Sequence, residues 1–125
     1  MAQKTGRRHR RSQEIVKALT YQLDTCREEA DLEAMVVSDE NGLCVASAGS
    51  PATCEEIAAR LPMLGRRPEG WDGVLLSSKG GWQVLVKSFR VSGTELFACA
   101  VGRKDRAMEQ PLARSIEGVT RILAA

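Results

Sequence analysis

Two groups of hairpin signals constrain this chain more than any other feature. Residues 33–38 and 43–48 are short apolar runs flanking Asp39-Glu40-Asn41-Gly42, and Asn41 and Gly42 are residue types that tolerate the positive φ of a tight hairpin turn. Farther on, residues 74–78, 82–91 and 95–101 read as three strands separated only by Lys79-Gly80-Gly81 and Ser92-Gly93-Thr94. Links this short impose direct antiparallel pairing, because a parallel crossover needs a dozen residues or more.

Helical periodicity accounts for the remainder. Ile15, Val16, Leu19, Leu23 and Cys26 recur at helical spacing, with Gln13, Glu14, Lys17, Asp24 and Glu28 opposite, which predicts a helix from an N-cap at Ser12 to about Ala30. Cys54, Ile57, Ala58, Leu61 and Leu64 define a second helix. Pro51 suits its first position and Gly65 its stop, while a Thr53/Glu56 capping box would start it two residues later. Pro62 removes one backbone bond and predicts a bent last turn. Residues 66–73 are expected to form a loop, with Pro68, Gly70 and Gly73 as breakers. A third stripe, Leu112, Ile116, Val119, Ile122 and Leu123, predicts a closing helix that opens near Gln110-Pro111.

The order α-β-β-α-β-β-β-α has hairpins without βαβ alternation, so the expected fold is α+β, one antiparallel sheet with helices on its faces. Residues 43–48 and 96–101 are apolar on both sides, as in doubly covered strands. In the strand between the two turns, Trp82, Val84 and Val86 share one face, and Gln83, Leu85, Lys87 and Phe89 the other. Three helices on a five-stranded sheet leave one face to a single helix, which cannot cover it. An edge strand at residues 74–78 beside an apolar helix face would recruit a second copy, so homodimerisation is expected.

With 125 residues, 43% hydrophobic and 27% charged, the chain suffices for one core without disulfides or metal. Its net charge of +2 conceals an asymmetry: Lys4, Arg7, Arg8, Arg10 and Arg11 lie in the first 13 residues with no acid, leaving 13 basic against 16 acidic residues beyond. Residues 1–12 therefore read as a basic, mobile tail ahead of a domain at 13–125. By charge alone the tail would hold nucleic acid or an anionic surface. No apolar run approaches bilayer length and no apolar segment follows the arginines, so the expected location is the cytoplasm.

Catalytic constellations are not legible. The sole histidine, His9, lies in the tail, no phosphate-binding loop of the G-x-x-x-x-G-K-[ST] type occurs, and Cys26, Cys44, Cys54 and Cys99 lack the spacing of a zinc or redox pair. No cofactor and no metal are expected. Cys44 and Cys99 read as small buried hydrophobes, and Cys54, which near a helix start has the better case for a lowered pKa, is likewise read as packing. Trp71 and Trp82 are core residues or interface anchors.

The string Glu33-Ala34-Met35-Val36-Val37-Ser38-Asp39-Glu40-Asn41-Gly42-Leu43-Cys44-Val45-Ala46-Ser47, a small-residue loop, an apolar helix, a glycine-turned hairpin, a strand ending in Val101-Gly102 and a closing helix ending in Val119-Thr120-Arg121-Ile122-Leu123 together resemble the Roadblock/LC7 family over residues 13–124. The resemblance implies a sheet in the order 2-1-5-4-3, with the first and last helices on one face and the second on the other. It implies dimers formed through the third strand and second helix, here Val74, Leu75, Leu76, Ser77, Ser78, Ile57, Arg60, Leu61 and Leu64. It also implies a non-catalytic regulator of a small Ras-like GTPase, a GTPase-activating or nucleotide-state-dependent partner, with Arg66, Arg67, Trp71 and Trp82 as contacts. Arg60, Arg66 and Arg67 are the candidates for an arginine supplied in trans. A scaffold insensitive to nucleotide state, a heterodimer with a related chain, and a ligand-sensing domain with room beside Ala46, Ala48, Ala98 and Ala100 remain open.

Overall fold

Helix α1 (Ala2–Glu29) is followed by strands β1 (Ala34–Asp39) and β2 (Cys44–Gly49), helix α2 (Pro51–Gly65), strands β3 (Trp71–Ser77), β4 (Gly80–Val91) and β5 (Thr94–Gly102), and helix α3 (Glu109–Ala124). The computed structural model describes residues 2–67, 69–77, 80–103 and 107–125, with side chains described outside 2–11, 76–77 and 80. The five strands form one antiparallel sheet in the order β2-β1-β5-β4-β3, as the resemblance implies.

Alternation divides the central strands between two cores. Met35 and Val37 of β1 and Leu96, Ala98 and Ala100 of β5 face α1 and α3, joining Leu19, Leu23, Leu112 and Val119. Ala34 and Val36, together with Phe97, Cys99 and Val101, face α2 and meet Cys54, Ile57, Ala58 and Leu61. Double coverage makes β5 buried almost throughout, as its sequence predicts. The other expected doubly covered strand, β2, does have α1 over one face and α2 over the other, but it is an edge strand and its end residues Cys44 and Gly49 are exposed. Ala46, Ala48, Ala98 and Ala100 are all buried in the core on the α1/α3 side, where their small size admits the helices closely.

Turn chemistry departs from expectation in instructive ways. In the first hairpin only Gly42 takes a positive φ, +82°. The Asp39 carboxylate accepts from the Asn41 and Leu43 amides at 2.9 and 3.0 Å, so a side chain closes the turn. Pairing steps from Val37↔Ala46 to Ser38↔Cys44, leaving Val45 as the extra residue of a bulge. Cys44 is thereby exposed at the edge instead of buried.

Helix α1 starts at Ala2, so Ser12 lies inside it and caps nothing, and Val16 is exposed. Gln, Lys and Arg propagate a helix readily once a packed segment has nucleated it. Its far end closes on Asp31, in the left-handed conformation at φ 54°, with the Leu32 amide donating to the Arg27 carbonyl at 2.9 Å. In α2, Pro51 begins the helix as expected, without a capping-box start, and the helix continues through Pro62. The helix ends at Gly65 as expected, but without a left-handed cap, since Arg66 follows in the αR conformation; an added Cβ at Gly65 would lie 2.5 Å from Phe97 Cδ1, so the glycine also serves close approach to the sheet. Pro111 sits in the first turn of α3, where the missing amide hydrogen has no helical partner to lose. Among the described residues, no helix is long and apolar enough to cross a membrane.

Candidate functional site

The two ends of the sheet are finished differently. α2 packs chiefly over β1 and β2 and less over β4 and β5, while on the opposite face α3 covers β4 and β5 and α1 covers β2 and β1. Strand β3 lies at the end of the sheet beyond this cover, paired to β4 alone among the described residues.

The strand begins earlier than the sequence suggests. Trp71, Asp72 and Gly73, expected in a loop, pair with Val86, Leu85 and Val84. Gly70 makes this entry possible: it has φ +78°, and any Cβ would fall directly against the Val86 carbonyl oxygen. From that point Trp71, Gly73 and Leu75 share the face of Val84, Val86 and Trp82. The Trp71 indole lies across Gly73, whose hypothetical Cβ would come within 2.8 Å of it. Trp71, Leu75 and Trp82 are half-buried, packed at the margin of the α2-side core. On the reverse face Val74 is 59% exposed. A strand edge whose backbone groups have no strand partner among the described residues is thus bordered on both sides by accessible apolar side chains.

Helix α2 contributes only its outer face. Ile57 and Leu61, placed at a dimer contact by the resemblance, are fully buried against the chain's own sheet and offer nothing to a second copy. Leu64 is half-buried, Met63 is 77% exposed, and Arg60 pairs with Glu56 at 3.4 Å. Met63 is the residue that sequence reasoning missed; it falls between the helical positions of the stripe, and its exposure marks it. Arg66, the C-terminal cap of α2, and Arg67 are exposed where the chain turns toward Gly70, whose amide donates to the Arg67 carbonyl at 2.9 Å. The side chains of Leu76 and Ser77, and Ser78 altogether, lie outside the described residues.

The cysteines do not build a reactive centre. Burial pushes the Cys54 thiol above its ordinary value, against the lowering its place near a helix start suggests. Cys99, wholly buried, is pushed up further by the same cause. Both thiols stay protonated near neutral pH and serve as packing. Among the described residues, no group of three or more His, Cys, Asp or Glu is placed to hold a metal. Hollows open on the surface at α1, between α1 and α3, and beside the first hairpin, the last with a volume of about 270 Å³ lined by Gly42, Leu43, Cys44, Glu55 and Ala58.

No family model matches the sequence, nor does any curated protein. Solved structures do match. The gliding protein mglB from Thermus thermophilus superposes with a TM-score of 0.60 at 13% identity, covering 86% of this chain and 90% of that one. A structure described as MglB with tetrameric arrangement gives 0.56 at 10% identity, with 86% and 89% covered. A Roadblock/LC7 domain from Streptomyces avermitilis gives 0.55 at 15% identity, with 83% and 93% covered. At such identities the likeness is one of backbone architecture, and the chain has the fold of a Roadblock/LC7 domain.

Proposed function

We propose that this domain is a non-catalytic, self-associating regulator of a small Ras-like GTPase, working through the β3 end of its sheet. The observation that carries the reading is the β3 edge, without a second strand partner among the described residues, with Trp71, Leu75 and Trp82 on one side and Val74 on the other. Two copies joined edge to edge would continue the sheet and cover these side chains. Val74, Leu75 and Trp71 would then lie at the junction, with Met63, Leu64 and Arg60 on the adjoining helix. A GTPase as the partner class comes from the sequence resemblance to the Roadblock/LC7 family, whose fold this chain shares.

A regulator of this kind needs no chemistry of its own. Binding one switch conformation more tightly than the other shifts the GTPase between them, and the shift is limited by that difference in affinity. Arg66 and Arg67, exposed at the end of α2, would meet an anionic surface of the partner, whereas Arg60 is engaged by Glu56. The same surface, used without discrimination between nucleotide states, would make the protein an adaptor.

The test is capture of partners from native lysate by the tagged protein, in parallel arms with GDP and with a non-hydrolysable GTP analogue. The regulatory reading expects a small GTPase enriched in one arm, with the enrichment reduced by Arg66→Ala and Arg67→Ala together. Equal recovery of a GTPase in both arms, or of the same other proteins in both, contradicts it and leaves the adaptor.

A further inference from the structure

The segment from Ala2 to Ser12 is the first part of α1, and its composition differs from everything that follows. We propose that this segment is a binding site for double-stranded nucleic acid, engaging the phosphate backbone through its arginines.

Charge carries the first part of the argument. Lys4, Arg7, Arg8, Arg10 and Arg11 fall within the segment with no acid among them, while the rest of the chain has 13 basic and 16 acidic residues. Attraction for a polyanion is therefore concentrated on one element, and the net-acidic remainder is repelled. Four of the five cations are arginine, whose planar fork engages phosphate oxygens in pairs where lysine acts as a point charge.

Backbone form carries the second part. The segment is helical and continuous with the rest of α1, so its cations are carried on one regular element. At 1.5 Å per residue it is about 16 Å long, and duplex DNA presents roughly one negative charge per 1.7 Å of axis, so the helix can run beside some nine phosphates. A helix is also about as wide as the major groove, which is about 12 Å across. An anionic bilayer is the less favoured polyanion. Helices that lie in a membrane interface bury a large apolar face, and residues 2–12 contain no apolar side chain larger than alanine.

The experiment uses the full chain and a labelled 30-base-pair duplex of random sequence, with binding followed by fluorescence anisotropy across a salt series. Neutralising four or five phosphates predicts a slope of log K against log salt of about −4, a loss of affinity of roughly two hundred-fold between 50 and 200 mM. Changing Arg7, Arg8, Arg10 and Arg11 together to Gln should abolish most of the binding and flatten the slope to about −1, with an unchanged folded signal in circular dichroism. The corresponding four-lysine variant should keep a slope near −4. Undiminished binding by the four-glutamine variant, no binding by the parent at 50 mM salt, or stronger partition onto phosphatidylserine vesicles than onto the duplex would each overturn the assignment.

Discussion

The centre of the sheet and its β3 end are built from similar side chains and do opposite things with them. In β5, Phe97 is buried under α2 while Ala98 and Ala100 are buried on the α1/α3 side, so each residue's apolar surface is consumed within the chain. In β3, Trp71 and Leu75 are half-covered and Val74 is exposed, because the helices sit over the other strands. The difference teaches that position in the strand order, more than hydrophobicity, separates side chains that hold the fold from those available to a partner.

The sharpest way to break this division is to remove mass from the covered side. Phe97→Ala should cost about 3–5 kcal/mol, read as a lowered urea midpoint, since the ring is nearly fully buried and Gly65, which lies against it, has no side chain to move into the gap. Gly70→Ala comes next, at roughly 1–3 kcal/mol, because it places a side chain at positive φ against the Val86 carbonyl. If the β3 end joins two copies as proposed, that variant should also weaken the joint, since Gly70 sets where β3 enters the sheet.

A smaller effect arises from pH. Cys99 is held protonated by burial, so its folded pKa lies above the ordinary thiol value of 9.0. The unfolded chain releases this proton first as pH rises, so the folded state binds more protons there and stability falls above about pH 9. Urea midpoints at pH 8 and pH 10 should therefore diverge more in the parent than in Cys99→Ala; equal divergence would remove Cys99 as the cause. The smallest effect belongs to Arg60→Ala, which breaks only a surface pair with Glu56 and should alter unfolding stability by no more than about 0.5 kcal/mol.

Element order, antiparallel pairing and the two faces of β4 were all legible in the sequence, because hydrophobic period and short links leave few alternatives. Three kinds of information were not. Gly65 has the look of a helix stop, yet only the proximity of Phe97 reveals its packing role. The strand from Trp71 contains Asp72 and Gly73, which carry loop preferences that cross-strand pairing with β4 overrides. The α2 stripe marked Ile57 and Leu61 as an apolar face without stating which neighbour it meets, and that neighbour is the chain's own sheet. Leu61→Asp is therefore expected to unfold the domain, whereas a charge at exposed Val74 tests the edge without touching the core.

That substitution supplies the most direct test of the central claim, that the β3 end is an interface. Sedimentation equilibrium of the parent at tens of micromolar should give twice the chain mass of 13.6 kDa, and Val74→Lys should give the single mass with an unchanged circular dichroism spectrum, because like charges brought together across paired edges repel. A parent that sediments as a monomer, or a Val74→Lys dimer as tight as the parent, would contradict the account.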